Sequence, residues 1–118
     1  MASKVHLGTQ GWNYQDWVGP FYPRGSRASE FLDLYARVFE TVEIDSSFYA
    51  IPSEASVKSW RKRAPAGFTY SLKLPQQITH EQHLRDSEDA LERFCQRALE
   101  LGDTLAMVLI PVSYTHLT

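Results

Sequence analysis

Two acids and one lysine are the residues here whose types and spacing could do chemistry. Glu43 and Asp45 stand two positions apart in "TVEIDSSFYAIPS", and Lys73 lies in "FTYSLKL". Successive side chains of a strand point to opposite faces. A strand from Thr41 to about Ser47 therefore sends Val42 and Ile44 one way and Glu43 and Asp45 the other. Neighbouring carboxylates in a partly buried site push one pKa upward, which sets a general acid beside a base. A lysine on an adjacent strand can pair with them or polarise a substrate oxygen. The structural reading of the same trio is an internal salt bridge that only fills space. Buried charges are costly unless paired, so both readings expect Lys73 to meet Glu43 or Asp45.

His80 and His83 form an H-x-x-H. No zincin motif accompanies it, and a surface or hinge role is the expectation rather than a metal site. His80 nevertheless follows the third strand closely enough to stand at the rim of the same pocket. "GTQGW" lacks the G-K-[ST] of a P-loop and the spacing of a dinucleotide fingerprint, so its glycines read as a tight turn. Trp12, Tyr14, Trp17, Phe21 and Tyr22 crowd the loop that follows. They read as a packed loop, with a ligand platform as the functional alternative. Cys95 falls in a helical pattern and is expected to pack rather than react.

These residues need elements to hold them. "VHLGTQ", Val5 to Gln10, reads as a first strand. "SEFLDLYARVF" reads as a helix capped by Ser29, with Phe31, Leu32, Tyr35, Val38 and Phe39 at helical spacing. The Thr41 strand follows, then a helix over "EASVKSWRKR" capped by Ser53 and stopped by Pro65 and Gly67. The Arg61-Lys62-Arg63 run at its end suits a helix C-terminus, where cations are favoured. Phe68 to Leu74 alternates as a third strand, with Phe68, Tyr70, Leu72 and Leu74 on one face and Thr69, Ser71 and Lys73 on the other. "QQITHEQHL" reads as a loop. A longer helix runs from Asp86 or Ser87 to about Leu101, with Leu91, Phe94, Cys95, Ala98, Leu99 and Leu101 as its apolar stripe and Gly102 at C′. Leu105 to Ile110 is a continuous apolar run and hence a buried strand.

The order is β-α-β-α-β-α-β, which implies parallel strands joined by right-handed crossovers. An open doubly wound sheet buries both faces under helices, so both should be apolar. Here three strands each pair an apolar face with a polar one. That pattern suits a TIM-type (β/α) barrel, with polar residues in the lumen and chemistry at the C-terminal strand ends. Such a barrel takes about 250 residues. The 118 residues of this chain supply about the first half of one.

Composition bounds the rest. A hydrophobic fraction of 43% suits one globular domain, and a net charge of −2 with a pI near 6.0 gives no basic footprint for nucleic acid. No segment is long enough to span a bilayer, and the N-terminus has no apolar signal region. With a single cysteine, the expectation is a cytoplasmic protein.

"GTQGWNYQDWVGPFYP", "TVEIDSSFYAIPS" and "FTYSLKLPQQITHEQHL" together resemble the YecE-like proteins, the family called domain of unknown function 72. That family shows G-T-S-G-W-x-Y-x-x-W before F-Y-P, then V-E-I-N-x-T-F-Y-x-x-P, then F-x-K-x-P with I-T-H. Gly8, Thr9, Gly11, Trp12, Tyr14 and Trp17 match the first motif, with Gln10 in place of the usual Ser. Glu43, Phe48, Tyr49 and Pro52 match the second, with Asp45 where Asn is common and Ser47 where Thr is common. Lys73, Pro75, Thr79 and His80 match the third. The resemblance spans about residues 5 to 110 and implies a TIM-type barrel of unassigned activity. It ranks Glu43, Lys73 and His80 above Asp45 as catalytic candidates. Gln10, Gly11, Trp12, Tyr14, Trp17, Ser47, Phe48 and Tyr49 are the candidate ligand contacts.

The chain thus divides into residues 1–111, the N-terminal part of a barrel domain, and a divergent tail over 112–118, read as unrelated or truncated sequence. A full-length relative is expected to be an enzyme on a small polar ligand, a sugar or phosphate ester. Glu43 would be acid or base, Lys73 an electrostatic stabiliser and His80 a proton carrier. The alternatives are a non-catalytic binding or interaction module using the aromatic loop, and a metal-dependent barrel hydrolase or isomerase with ligands from outside this chain. No cofactor is assigned. The missing half of a barrel, or self-association, is the expected partner of the open sheet edges.

Overall fold

The computed structural model describes residues 5–78 and 88–111. Its elements run β1 (Gly8–Gln10), a 3-10 turn (Gln15–Trp17), α1 (Ala28–Tyr35), β2 (Thr41–Ile44), α2 (Ser46–Tyr49), α3 (Glu54–Arg63), β3 (Thr69–Lys73), α4 (Glu88–Leu99), a second 3-10 turn (Gly102–Thr104) and β4 (Leu105–Leu109). The four strands form one parallel sheet in the order β1-β2-β3-β4. Spatial order equals sequence order, so every crossover steps the same way. Right-handed crossovers that never reverse direction place their helices on one face of the sheet.

The core lies between that face and the helices. Val42 and Ile44 of β2 and Tyr70 and Leu72 of β3 are buried, together with Phe31, Leu32 and Tyr35 of α1, Val57 of α3, and Ala90, Phe94 and Ala98 of α4. The alternation expected of β2 and β3 is therefore present, and Phe68 and Leu74 extend it beyond the ends of β3. Register aligns Gln10 with Glu43, Glu43 with Ser71, and Ser71 with Met107 across the opposite face. That face forms an open groove of about 310 Å³.

Tyr35 shows how a helix fixes the strands. Its buried hydroxyl accepts the Thr9 N–H at 2.7 Å and donates to the Thr41 carbonyl at 2.9 Å, joining β1 to β2 from below. Gly8 permits the same approach, because a Cβ there would lie 2.0 Å from the Thr41 carbonyl oxygen. Ser53 caps α3 as expected, its hydroxyl accepting the Ser56 N–H at 3.1 Å. Gly102 has φ +57° but opens the second 3-10 turn three residues past the end of α4, rather than standing at C′, because α4 ends at Leu99 and not at Leu101.

Several expectations are corrected. β1 begins at Gly8, not Val5, and Val5 and Leu7 are 80% and 70% exposed because no described element lies outside this edge strand. β2 ends at Ile44. Asp45 has helical φ and ψ, and the chain enters the single turn of α2 through the Phe48 N–H to Asp45 carbonyl bond. The cap of α1 is Arg27 rather than Ser29, since Glu30 at N3 reaches back to the Arg27 N–H at 2.8 Å.

The buried stripe of α4 is Ala90, Phe94 and Ala98, continued by Leu101 in the turn that follows. Leu91, Cys95 and Leu99 lie one residue further on, about 100° around the helix. All three are exposed, so Cys95 does not pack. The apolar run of β4 is not a buried strand either. Met107, Val108 and Ile110 are exposed because β4 is the other edge of the sheet and has a neighbour on one side only among the described residues. The expected tail over 112–118, and the loop carrying Thr79, His80 and His83, lie outside the described residues. No helix among the described residues is long and apolar enough to cross a membrane.

Candidate functional site

At the C-terminal ends of β2 and β3 the two strands and the turn after β2 bring three side chains to one point. Lys73 is the last residue of β3, and its ammonium lies 2.8 Å from Asp45 Oδ1 and 3.2 Å from Glu43 Oε1. The pairing expected from charge cost is thus present with both acids at once. They reach it by different routes. Glu43 points from β2 onto the open face, while Asp45 arrives from the turn that begins α2.

The electrostatics follow from the geometry. Burial alone would raise the Asp45 pKa, but hydrogen bonds from Lys73 and Gln10 and the charge of Lys73 outweigh it and hold Asp45 below its ordinary value. Hydrogen bonding to Asp45 is the largest influence on Lys73. With Glu43 adding to it against partial burial, the ammonium is held above its ordinary value. Asp45 is therefore ionised and Lys73 protonated at neutral pH. That makes Lys73 a fixed positive charge rather than a nucleophile. The Phe48 ring, 6.0 Å from the ammonium to its centroid, covers Lys73 on another side.

Beside the trio lies a cleft of about 300 Å³, walled by Trp12, Tyr14 and Trp60 and edged by Asp45 and Ser46. Gly11, with φ +80°, makes the turn that carries Trp12 over the strand ends, and its N–H donates to the Glu43 carbonyl at 2.8 Å. Trp12 meets Trp60 edge-on, with centroids 6.3 Å apart and planes at 85°. The Tyr14 hydroxyl donates to the Gln10 carbonyl, leaving its ring as the exposed surface. Sequence reasoning missed Trp60. The signal was present, since Val57 and Trp60 are the large apolar residues of the otherwise polar "EASVKSWRKR".

The remaining candidates divide. Trp17 packs on Tyr14, Phe21 and Tyr22, whose rings lie 4.7, 5.6 and 5.8 Å away. Tyr22 is buried and stacks on Phe31 at 4.4 Å. This half of the aromatic loop is packing. Ser47 is fully buried, and its hydroxyl accepts the Lys73 N–H at 2.9 Å, so it positions Lys73 and does not face the cleft. Tyr49 is exposed against Phe48, away from the cleft lining. Among the described residues, no three His, Cys, Asp or Glu side chains come together to hold a metal. The Arg61-Lys62-Arg63 run is partly structural: Arg63 reaches Asp33 at 3.2 Å and the Ser29 carbonyl at 2.7 Å.

Comparison with known proteins identifies the family and the fold. The family model described as a protein of unknown function, DUF72, matches residues 6–116. The chain is 26% identical to the UPF0759 protein YecE of Escherichia coli over 111 residues, covering 94% of this chain and 38% of that protein. It is 32% identical to the UPF0759 protein YunF of Bacillus subtilis over 112 residues, covering 95% and 36%. The crystal structure of a DUF72 family protein from Thermotoga maritima superposes with a TM-score of 0.75 at 30% identity, covering 92% of this chain and 45% of that one. A DUF72 family protein from Enterococcus faecalis shares the fold, with a TM-score of 0.76 at 23% identity over 95% of this chain and 41% of that one. The chain thus spans less than half the length of each of these relatives.

Proposed function

The chain belongs to the DUF72 family, and from that premise we propose that it forms the first four β/α steps of a TIM-type barrel whose strand-end site binds and transforms a small polar ligand. The sequential parallel order, the helices on one face and the polar opposite face support the barrel. One observation carries the function. The Lys73 ammonium is shared by Glu43 and Asp45 at the C-terminal ends of the strands, where barrel enzymes place their chemistry.

In this reading Lys73 stabilises negative charge developing on a substrate oxygen, and Asp45 holds Lys73 in place. Glu43, the second carboxylate on the same ammonium, is the acid or base. His80 belongs to the proposal through the family motif alone. The interaction-module alternative loses ground because Trp17, Phe21 and Tyr22 spend their rings on one another and on the core. A metal-dependent reaction would require a cation that displaces the Lys73 ammonium from both carboxylates.

The test is a metabolite and metal screen on a full-length relative, with the positions equivalent to Glu43 and Lys73 changed to Gln and Ala. A small polar ligand is expected to bind the parent and to be weakened in both variants. Unchanged binding in both removes these residues from the site.

A further inference from the structure

We infer that the cleft walled by Trp12, Tyr14 and Trp60 is a subsite for the pyranose ring of an unphosphorylated sugar. The inference rests on the strand-end site proposed above and narrows its ligand from sugar or phosphate ester to sugar. The cleft, at about 300 Å³, lies at the small end of the range of roughly 300–1,000 Å³ for ligand pockets. That volume suits one ring.

A pyranose has an apolar face of C–H bonds and an edge of hydroxyls. Aromatic faces carry negative quadrupole charge and attract the weakly positive C–H groups. The nearly perpendicular Trp12 and Trp60 make a corner of such surface. Asp45 and Ser46, on the cleft's edge, offer a carboxylate and a hydroxyl to the sugar's own hydroxyls.

The same geometry disfavours phosphate. Glu43 and Asp45 are two carboxylates against the single ammonium of Lys73, so the trio bears a net negative charge. No Lys or Arg lines the cleft among the described residues. A phosphate dianion entering beside Asp45 would meet repulsion where recognition needs cationic donors.

The walls are also held ready. The buried Tyr22 hydroxyl donates to the Trp12 carbonyl at 2.6 Å, and the buried Tyr70 hydroxyl donates to the Trp60 carbonyl at 2.7 Å. Burial pushes Tyr22 up to about 12 and Tyr70 higher still, so both phenols keep their protons and remain donors. Each indole that lines the cleft has its backbone fixed from behind, which lowers the ordering cost of binding.

The test uses the full chain with methyl α- and β-glucopyranoside, galactopyranoside and mannopyranoside as probes, set against glucose 1-phosphate and glucose 6-phosphate. Saturation-transfer NMR reports which ligand protons touch the protein, and it works whether or not the chain associates. At least one methyl pyranoside is expected to bind about tenfold tighter than either phosphate ester, with saturation concentrated on the C–H protons of one ring face. Trp60→Leu should weaken it about tenfold or more. Should that variant not fold, Trp60→Phe and the saturation map of the parent carry the same decision. Asp45→Asn should narrow the gap between pyranoside and phosphate, which a purely structural carboxylate would not do. A phosphate ester binding as tightly as the pyranosides overturns the sugar inference and leaves the strand-end site standing. Silence from both probe classes, together with a blank metabolite screen, overturns both.

Discussion

The hydroxyl of Ser47 accepts the backbone N–H of Lys73 at 2.9 Å, joining the turn after β2 to the last residue of β3. Ser47 is the buried polar residue of the described core, and its hydrogen finds a carbonyl acceptor in Lys73 or Ile44. A residue outside the charged trio thereby sets where the Lys73 ammonium starts from. Ser47→Ala should leave the Lys73 N–H without this partner and cost about 1–3 kcal/mol. Urea denaturation of parent and variant checks this, and an unchanged midpoint would show that water or another group replaces the hydroxyl at no cost.

The trio makes a prediction about pH whose sign follows from its two shifts. Asp45 is held below its ordinary value, so its contribution is present at neutral pH and is lost only as pH falls below about 3.9. Lys73 is held above its ordinary value, so its contribution is lost only as pH rises past about 10.4. Between these limits Asp45 and Lys73 should contribute no slope to stability. Lys73→Met removes the cation and leaves Glu43 and Asp45 facing each other. Without the Lys73 cation the folded-state pKa of Asp45 should then rise, and a carboxylate with a raised folded pKa gains stability as pH falls. The variant is expected to be about 1 kcal/mol less stable than the parent at pH 7, since the trio is partly open to water, and to recover toward pH 4.5. Denaturant midpoints across that range decide it. A variant that tracks the parent at every pH would mean the two acids do not interact.

Gly8 is required by an approach of backbone to backbone. Its φ is not in the left-handed region, and the constraint is the Thr41 carbonyl, which a Cβ would meet at 2.0 Å. Gly8→Ala should push β1 off β2 and cost about 1–3 kcal/mol. It should also blunt the response of Trp12 fluorescence to any ligand of the cleft, because β1 leads directly into the loop that carries Trp12. Full stability in the variant would show that the edge strand can shift freely.

Much of this was legible in the sequence. The period-two alternation of β2 and β3 gave both faces correctly, because both strands have neighbours on each side and helices over one face. The convergence of Glu43, Asp45 and Lys73 followed from the cost of burying charge unpaired. The edges were misread for the opposite reason. Val5, Leu7 and the residues of β4 have strand-like composition, but composition does not say whether a neighbour is present. Asp45 met Lys73 from a helical turn rather than from a strand face, so the right contact was reached from the wrong local structure. Trp60 was hidden because a helix pattern assigns a tryptophan to the core without showing that one edge of it opens on a cleft.

The open edges yield the last prediction. Among the described residues β1 and β4 each bond to a strand on one side only, and both run parallel to the rest of the sheet. Leu7 and Met107, at 70% and 54% exposed, mark apolar surface beside these edges. Unpaired strand edges of this kind recruit other chains. A second copy related by a two-fold axis can set its β1 against β4 and its β4 against β1, satisfying both edges in one closed assembly. The 118-residue chain alone should therefore associate as its concentration rises through roughly the μM to mM range, seen by sedimentation velocity. Met107→Lys with Ile110→Lys should shift that association to higher concentration, because charge on an edge strand opposes pairing. A monodisperse monomer of the parent chain, melting in one cooperative transition, would show that the two edges are stable unpaired.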